Sequence, residues 1–301
     1  MSGHHHHHYH LNQRNLFVVL TVTGTVMVVE IVGGILANSL ALLSDAGHML
    51  TDILALSLSL FAMRFAQKPP TPSKTFGYYR LEILAAFFNG MLLFFIAVYI
   101  FYEAYQRLAS PEEIESLVML SVAAIGLITN GIGILILRKA TAKSLNVKSA
   151  FFHMVSDTIS SVGVIVGGLI IYYTNWYLVD SLISICIGML ILRGAYSLVK
   201  ESADIFLEAT PKEINMEELM TDIRKVTGVQ DVHHLHIWTI TSGIYAMSAH
   251  VLINDQLISR QTQILREVEQ LLREKYSMEH TTIQFECESC GDELLLVTEE
   301  L

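Results

Sequence analysis

Two otherwise apolar stretches carry the same pair of ionisable residues at the same spacing: His48 with Asp52, and His153 with Asp157, each as His-x-x-x-Asp. On a helix, a spacing of four puts both side chains on one face. Two such faces turned together offer two imidazoles and two carboxylates, a set suited to tetrahedral Zn2+ with donors at about 2 Å. Two aspartates neutralise a divalent ion, whereas the empty site holds two repelling anions in a low dielectric and favours proton uptake. Imidazole must be neutral to ligate, and unperturbed it titrates near pH ~6.5, so metal and protons compete for the same groups. The plainer alternative makes each pair an internal hydrogen bond of its own helix. Its repetition in a second stretch, with few other charges in either, argues against that.

Four donors on two helices need a scaffold, and the composition says which kind. Of 301 residues, 52% are hydrophobic and only 16% charged, with a mean hydropathy of +0.47. Soluble domains carry about 25% charge. Disorder is excluded by that balance, and a net charge of −10 argues against nucleic acid as a partner, because phosphate binding needs clustered cations. Three cysteines (Cys186, Cys287, Cys290) are too few for a disulfide framework, and no cleavable secretory signal is expected. Residues 1–200 hold 12 basic against 10 acidic side chains, and residues 201–301 hold 7 against 19. The expectation is a polytopic α-helical membrane protein followed by an acidic C-terminal domain. A bilayer core needs roughly 20 apolar residues per helix. Six stretches qualify, near 15–37, 40–66, 81–107, 115–137, 146–173 and 178–199. Glycines in them, among them Gly33, Gly34, Gly131, Gly163, Gly167 and Gly168, are expected to let helices pack closely. Arg14, Arg64, Lys68, Lys74, Arg80, Arg138, Lys139, Lys143, Lys148 and Lys200 gather on the loops and ends of one side. That side is the cytoplasm by the positive-inside rule, and both termini lie there. Asp45 is expected beside the His48/Asp52 pair as a helix-start or supporting residue. Glu30 and Asn130 are expected to make hydrogen bonds between helices, and Glu82 and Glu103 to lie at the interface.

In these residues the chain resembles the cation diffusion facilitators, specifically the bacterial zinc-exporter branch related to animal zinc transporters. The resemblance rests on Ser39-Leu-Ala-Leu-Leu-Ser-Asp-Ala-Gly-His-Met-Leu-Thr-Asp52, Phe76-Gly-Tyr-Tyr-Arg-Leu-Glu82, Asn146-Val-Lys-Ser-Ala-Phe-Phe-His153 and Val232-His-His-Leu-His-Ile-Trp238. It implies a homodimeric Zn2+/H+ antiporter of the bacterial inner membrane, working by alternating access, with His48, Asp52, His153 and Asp157 as its transport site. Two features of some relatives are missing. The loop Gln67–Tyr79 contains no His, Asp, Glu or Cys, so no metal site is expected in it, and Arg138–Lys148 is too short for a His-rich loop.

After Pro211 the chain alternates as helix 212–227, strands 229–240 and 244–253, helix 256–276 and strand 281–288, a ferredoxin-like α+β order. The resemblance implies that this domain dimerises and binds zinc. Candidate ligands are His233, His250, His280, Glu286, Cys287 and Cys290; His233 and His250 resemble the family's cytoplasmic ligands, whereas His234 and His236 match residues that are not dependable ligands. An exposed polar strand face with a solvated tail is the plainer reading. Cys287-x-x-Cys290 spaces two thiolates for one metal but leaves the site incomplete, and a redox role would need a helix start that the preceding strand does not supply. The N-terminal run His4–His8 and His10 is either an expression tag or a native metal-binding tract that meets the cysteine pair, as in animal relatives. An intramembrane metalloprotease would need His-Glu-x-x-His and an ATP-driven pump a Walker loop, and neither occurs. A membrane-anchored sensor would leave the paired ionisable residues unexplained. No enzymatic activity is expected. Co2+, Cd2+ and Ni2+ stay open beside Zn2+.

Overall fold

The structure, a computed structural model, describes residues 9–66, 68–137 and 145–288. Six long helices come first: α1 Tyr9–Ala37, α2 Leu40–Ala66, α3 Arg80–Ala109, α4 Ser116–Leu137, α5 Leu145–Thr174 and α6 Leu178–Phe206. Their bounds follow the six apolar stretches. Among the described residues, α3, α6 and the Asp157–Thr174 part of α5 are long and apolar enough to cross a bilayer, with shorter apolar segments at Thr21–Ala37 and Ser116–Ile132. The chain divides into two compact units, one of residues 1–63 and 85–199, the other of 64–84 and 200–301.

The first unit is built from small residues at helix crossings. Ala37, Ala41, Ala97 and Ala195 are fully buried beside Leu42, Met119 and Val164. A Cβ at Gly33 would stand 2.4 Å from Val122, and one at Gly167 would stand 2.2 Å from Ile183, so the helices meet there because those side chains are missing. Gly131 and Gly163 have nothing within 4 Å and do not share that role. Large apolar side chains such as Phe88, Tyr99, Ile128, Leu135, Ile159 and Leu190 are exposed, as an exterior solvated by lipid requires.

At one end of this unit α1 stops at Asn38, whose φ of 51° reverses the chain while the Ser39 amide donates to Gly34 O (2.9 Å). The start of α2 is then capped from another helix. Asp180, fully buried on α6, accepts from Ser39 Oγ (2.6 Å) and from the amides of Leu40 (2.7 Å) and Ala41 (3.3 Å). A carboxylate there satisfies amides that have no partner within the helix and sits at the positive end of its dipole. From α3, Arg107 donates to Asn38 O (2.7 Å) and Asn38 Oδ1 (3.0 Å). The helix carrying His48 and Asp52 is thus anchored about two turns before His48 and three before Asp52.

The second unit runs α7 Met216–Arg224, β1 Val229–Thr241, β2 Ile244–Ile253, α8 Ile258–Tyr276 and β3 Met278–Glu286. This is the α-β-β-α-β order read from the sequence. Helix α7 starts four residues later than expected because Asn215 caps it, accepting from the amides of Glu217 and Glu218. The sheet order is β1-β2-β3, antiparallel then parallel, and α8 makes the crossover. A full ferredoxin-like fold has four strands; three are formed among the described residues. Leu219 and Ile223 of α7 and Ile264, Val268 and Leu272 of α8 pack on Val232, Ile237, Met247, Ala249, Val251 and Ile253. Side chains alternate along strands, so both helices cover one face of the sheet and leave the other open.

The two helices are tied by Lys275, which ion-pairs with Glu218 (2.7 Å) and Asp222, while Tyr276 donates to Asp222 (2.8 Å). Lys275, Lys225 and Tyr276 hold the Asp222 carboxyl well below the usual carboxylate range. From the 64–84 segment, Glu82 accepts from Thr241 Oγ1 (2.8 Å), Arg80 pairs with Glu208 (3.1 Å), and Phe76 meets the His280 ring edge to face at 5.6 Å.

Candidate metal centres

The pairing of α2 with α5 expected from the repeated His-x-x-x-Asp is visible in one pair. His48 Nε2 lies 3.8 Å from Asp157 Oδ1. Two donors on one tetrahedral ion, each about 2.1 Å from it, sit ~3.4 Å apart. The pair therefore stands within half an ångström of a ligand edge and beyond hydrogen-bond length. Asp52 lies on α2 and His153 on α5, but their side chains fall outside the described residues.

Around this pair sit acids that the sequence left in supporting roles. Asp45, buried, accepts from Ser160 Oγ of α5 (2.7 Å), a second α2–α5 contact. Glu30 of α1 is only 2% exposed and lies within electrostatic reach of both Asp45 and Asp157. Its Oε2, like the hydroxyl of buried Ser161, has no hydrogen-bond partner among the described residues. Gly126 of α4 makes the room: a Cβ there would stand 2.9 Å from Glu30 Oε1 and 3.6 Å from Ser161 Oγ. Three carboxylates converging among apolar helices form a place for positive charge. The role of Asp180 went unread in the sequence, although an acid three residues inside an apolar span was a signal for it.

The second centre lies on the sheet. His233 of β1 and His250 of β2 are register partners across the antiparallel pair. Glu286, two residues beyond Gln284, the β3 partner of His250, reaches back between them. Its Oε2 accepts from His233 Nε2 (3.0 Å) and its Oε1 meets His250 Nδ1 (2.8 Å), with Gln284 Nε2 donating to Oε1 at 2.7 Å. One donor atom from each of the three residues falls within 4.8 Å of the others. They lie on the open face, because Val232, Ala249 and Val251 point into the core. Two nitrogens and a carboxylate oxygen converging on one point fit a divalent transition metal.

The structure separates the remaining candidates. His280 is paired with Ala246 and packs on Phe76; six strand residues, roughly 20 Å, divide it from Glu286. Cys287 is an exposed free thiol, and Cys290 and the histidines at 4–8 lie outside the described residues.

Long helices with apolar exteriors, with a histidine and a carboxylate approaching one another across two of them, define an integral membrane protein. Residues 16–207 match the cation efflux transmembrane domain and residues 211–288 the cytoplasmic domain of cation efflux proteins, a dimerisation domain. The chain belongs to the cation efflux family, the cation diffusion facilitators, and is a homodimer. It is 45% identical over 96% of its length to the metal cation efflux system protein CzcD of Cupriavidus metallidurans, covering 91% of that protein. To the cadmium, cobalt and zinc/H(+)-K(+) antiporter of Bacillus subtilis it is 41% identical (95% of this chain, 92% of the relative). To the zinc transporter ZitB of Escherichia coli it is 39% identical (93% and 89%). The solved metal-bound C-terminal domain of CzcD aligns with 24% of this chain and 99% of its own at 36% identity, with a TM-score of 0.23. These relatives are named as an efflux system, an antiporter and a transporter, and the chain belongs with them to a family of metal cation efflux transporters.

Proposed function

We propose that the protein exports Zn2+ from the cytoplasm of a bacterium across the inner membrane in exchange for protons, with six membrane spans and both termini on the cytoplasmic side. The cargo site is His48, Asp52, His153 and Asp157, two donors from each of α2 and α5. The observation that carries this reading is the 3.8 Å approach of His48 Nε2 to Asp157 Oδ1 across the two helices. An ion bound by two imidazoles and two carboxylates leaves the site uncharged. When it departs, the aspartates and the nearby Asp45 and Glu30 face one another in a low dielectric, and protons are the charge available to replace it. Imidazoles that have taken up protons no longer ligate, so inward protons expel the metal and metal expels protons. The B. subtilis relative's name includes an H(+) exchange and the E. coli relative's name zinc, which supports both halves.

The cadmium and cobalt in the B. subtilis relative's name support a wider cargo range, which a site borne on two movable helices permits. The cytoplasmic centre of His233, His250 and Glu286 would hold a resident metal, drawing three elements of the sheet together rather than passing the ion on. Proteoliposomes enclosing a pH dye test the proposal. Added Zn2+ should move protons in the opposite sense to the metal, and Asp157→Ala should remove both fluxes. Continued zinc flux in that variant would sink the site assignment.

A further inference from the structure

His233, His250 and Glu286 supply three donors, whereas a closed tetrahedral site takes four. The strand that carries His233 departs from regularity at the next residue. Between His233↔His250 and His236↔Ser248, β1 uses three steps where β2 uses two, so one extra residue is inserted as a bulge. His234 sits in it with φ of 47°, left-handed backbone that a side chain other than glycine seldom adopts, though His does so more than most. Regular pleating would turn His234 away from His233 and into the helix-covered face. The bulge instead sends Leu235 to the hydrophobic core and keeps the His234 ring with its neighbours. Ring centroids stand 5.5 Å apart for His233 and His250, 5.6 Å for His233 and His234, and 4.9 Å for His234 and His250. An imidazole bound through nitrogen at about 2.1 Å has its centroid ~3.2 Å from the ion, and two such rings at the tetrahedral angle are ~5.2 Å apart. All three observed spacings fall within half an ångström of that figure.

We propose that His234 is the fourth ligand of the cytoplasmic centre, which with His233, His250 and Glu286 becomes a three-imidazole, one-carboxylate site. Strained backbone persists where the surroundings demand it, often at a functional site, and delivering this ring is what the bulge accomplishes. The set carries one negative charge, so a divalent ion keeps a net positive charge in it, and tight holding comes from three nitrogens on a rigid sheet. The inference rests on the reading of the other three residues as a metal centre.

The test uses the full-length protein in detergent, titrated with Zn2+ against a chromophoric chelator and separately with Co2+, whose visible bands are intense only when four-coordinate. His234→Asn is the variant of choice, because Asn tolerates the left-handed backbone and keeps the bulge while removing the imidazole. It should weaken one zinc site roughly tenfold or more and bleach the corresponding Co2+ bands. His234→Asp, equally tolerant of that backbone, restores a donor and should recover part of both. Wild-type affinity and bands in His234→Asn would overturn the proposal. His233→Asn separates the two ideas: if it too left binding unchanged, the centre itself would fall, whereas loss in His233→Asn alone would remove only His234.

Discussion

The two proposed metal centres draw on similar donors, histidine and carboxylate, borne on opposite kinds of support. In the first unit the donors come from α2 and α5, two helices whose contact is side chain on side chain, and the one described pair stands 3.8 Å apart. In the second unit they come from adjacent strands, locked by backbone hydrogen bonds and already closed on Glu286 at 3.0 and 2.8 Å. Helices packed through small residues can slide or tilt at modest cost, and a site split between them can open. Strand-borne ligands cannot part without breaking the ladder. The difference teaches why one arrangement suits an ion in passage and the other an ion that stays. The acids differ too: Glu30 and Asp45 lie near Asp157 in the helical unit, as the proposed exchange of metal for protons would use, whereas the His233/His250 cluster has Glu286 as its carboxylate.

Substitution at each site breaks the comparison most sharply. Asp157→Ala should abolish zinc-driven proton movement while leaving zinc at the cytoplasmic centre intact, and His233→Asn should do the reverse; equal loss of flux in both, measured in proteoliposomes, would make the two regions one machine. Next in size, Asp180→Ala leaves the Leu40 amide and Ser39 hydroxyl buried without their acceptor, at about 1–3 kcal/mol each. Thermal unfolding in detergent should drop clearly, and Asp180→Asn, retaining one acceptor oxygen, should fall between. His48→Asp should then widen the cargo range toward Cd2+, because a carboxylate adapts to a larger ion more readily than an imidazole, and competition between Zn2+ and Cd2+ uptake measures it. Gly126→Ala crowds Glu30 Oε1 at 2.9 Å and should slow transport, whereas Gly131→Ala, with nothing within 4 Å, should leave it unchanged.

The smallest effect is expected at Asp222, on α7. The Asp222 carboxyl is held low by Lys275 first, then Lys225 and Tyr276. A depressed folded-state pKa stabilises the fold above the unfolded value of about 3.9 and loses that contribution as pH falls through the folded value. Asp222→Asn should therefore lower the unfolding midpoint slightly at neutral pH, and the gap from wild type should close as the solution is made strongly acidic. A gap that stays constant with pH would assign the pair no electrostatic role.

Much of this was legible beforehand, for local reasons. The six helices follow the six apolar runs, although α1 begins six residues before its expected start and α6 ends seven residues beyond its expected end. The strand order in the second unit follows alternation and turn residues such as Ser242-Gly243. The start of α7 was misplaced because an N-cap is decided by one side chain, Asn215, against a background of many plausible starts. Of the cytoplasmic candidates, His233, His250 and Glu286 come together and His280 does not. Composition could not separate them, since all four are polar residues on strands and differ only in register.

The residues alone determined what kinds of group were present and how they were spaced along each helix or strand, because periodicity is a property of neighbouring peptide units. Spacing of four set the His-x-x-x-Asp faces before any fold was known. Which faces meet was decided in three dimensions. Asp180 reaches the start of α2 across 140 residues of chain, Gly126 clears space for an acid on another helix, and an inserted residue turns His234 toward His250. Each depends on packing and pairing between distant segments, where a shift of one residue sends a side chain to the opposite face.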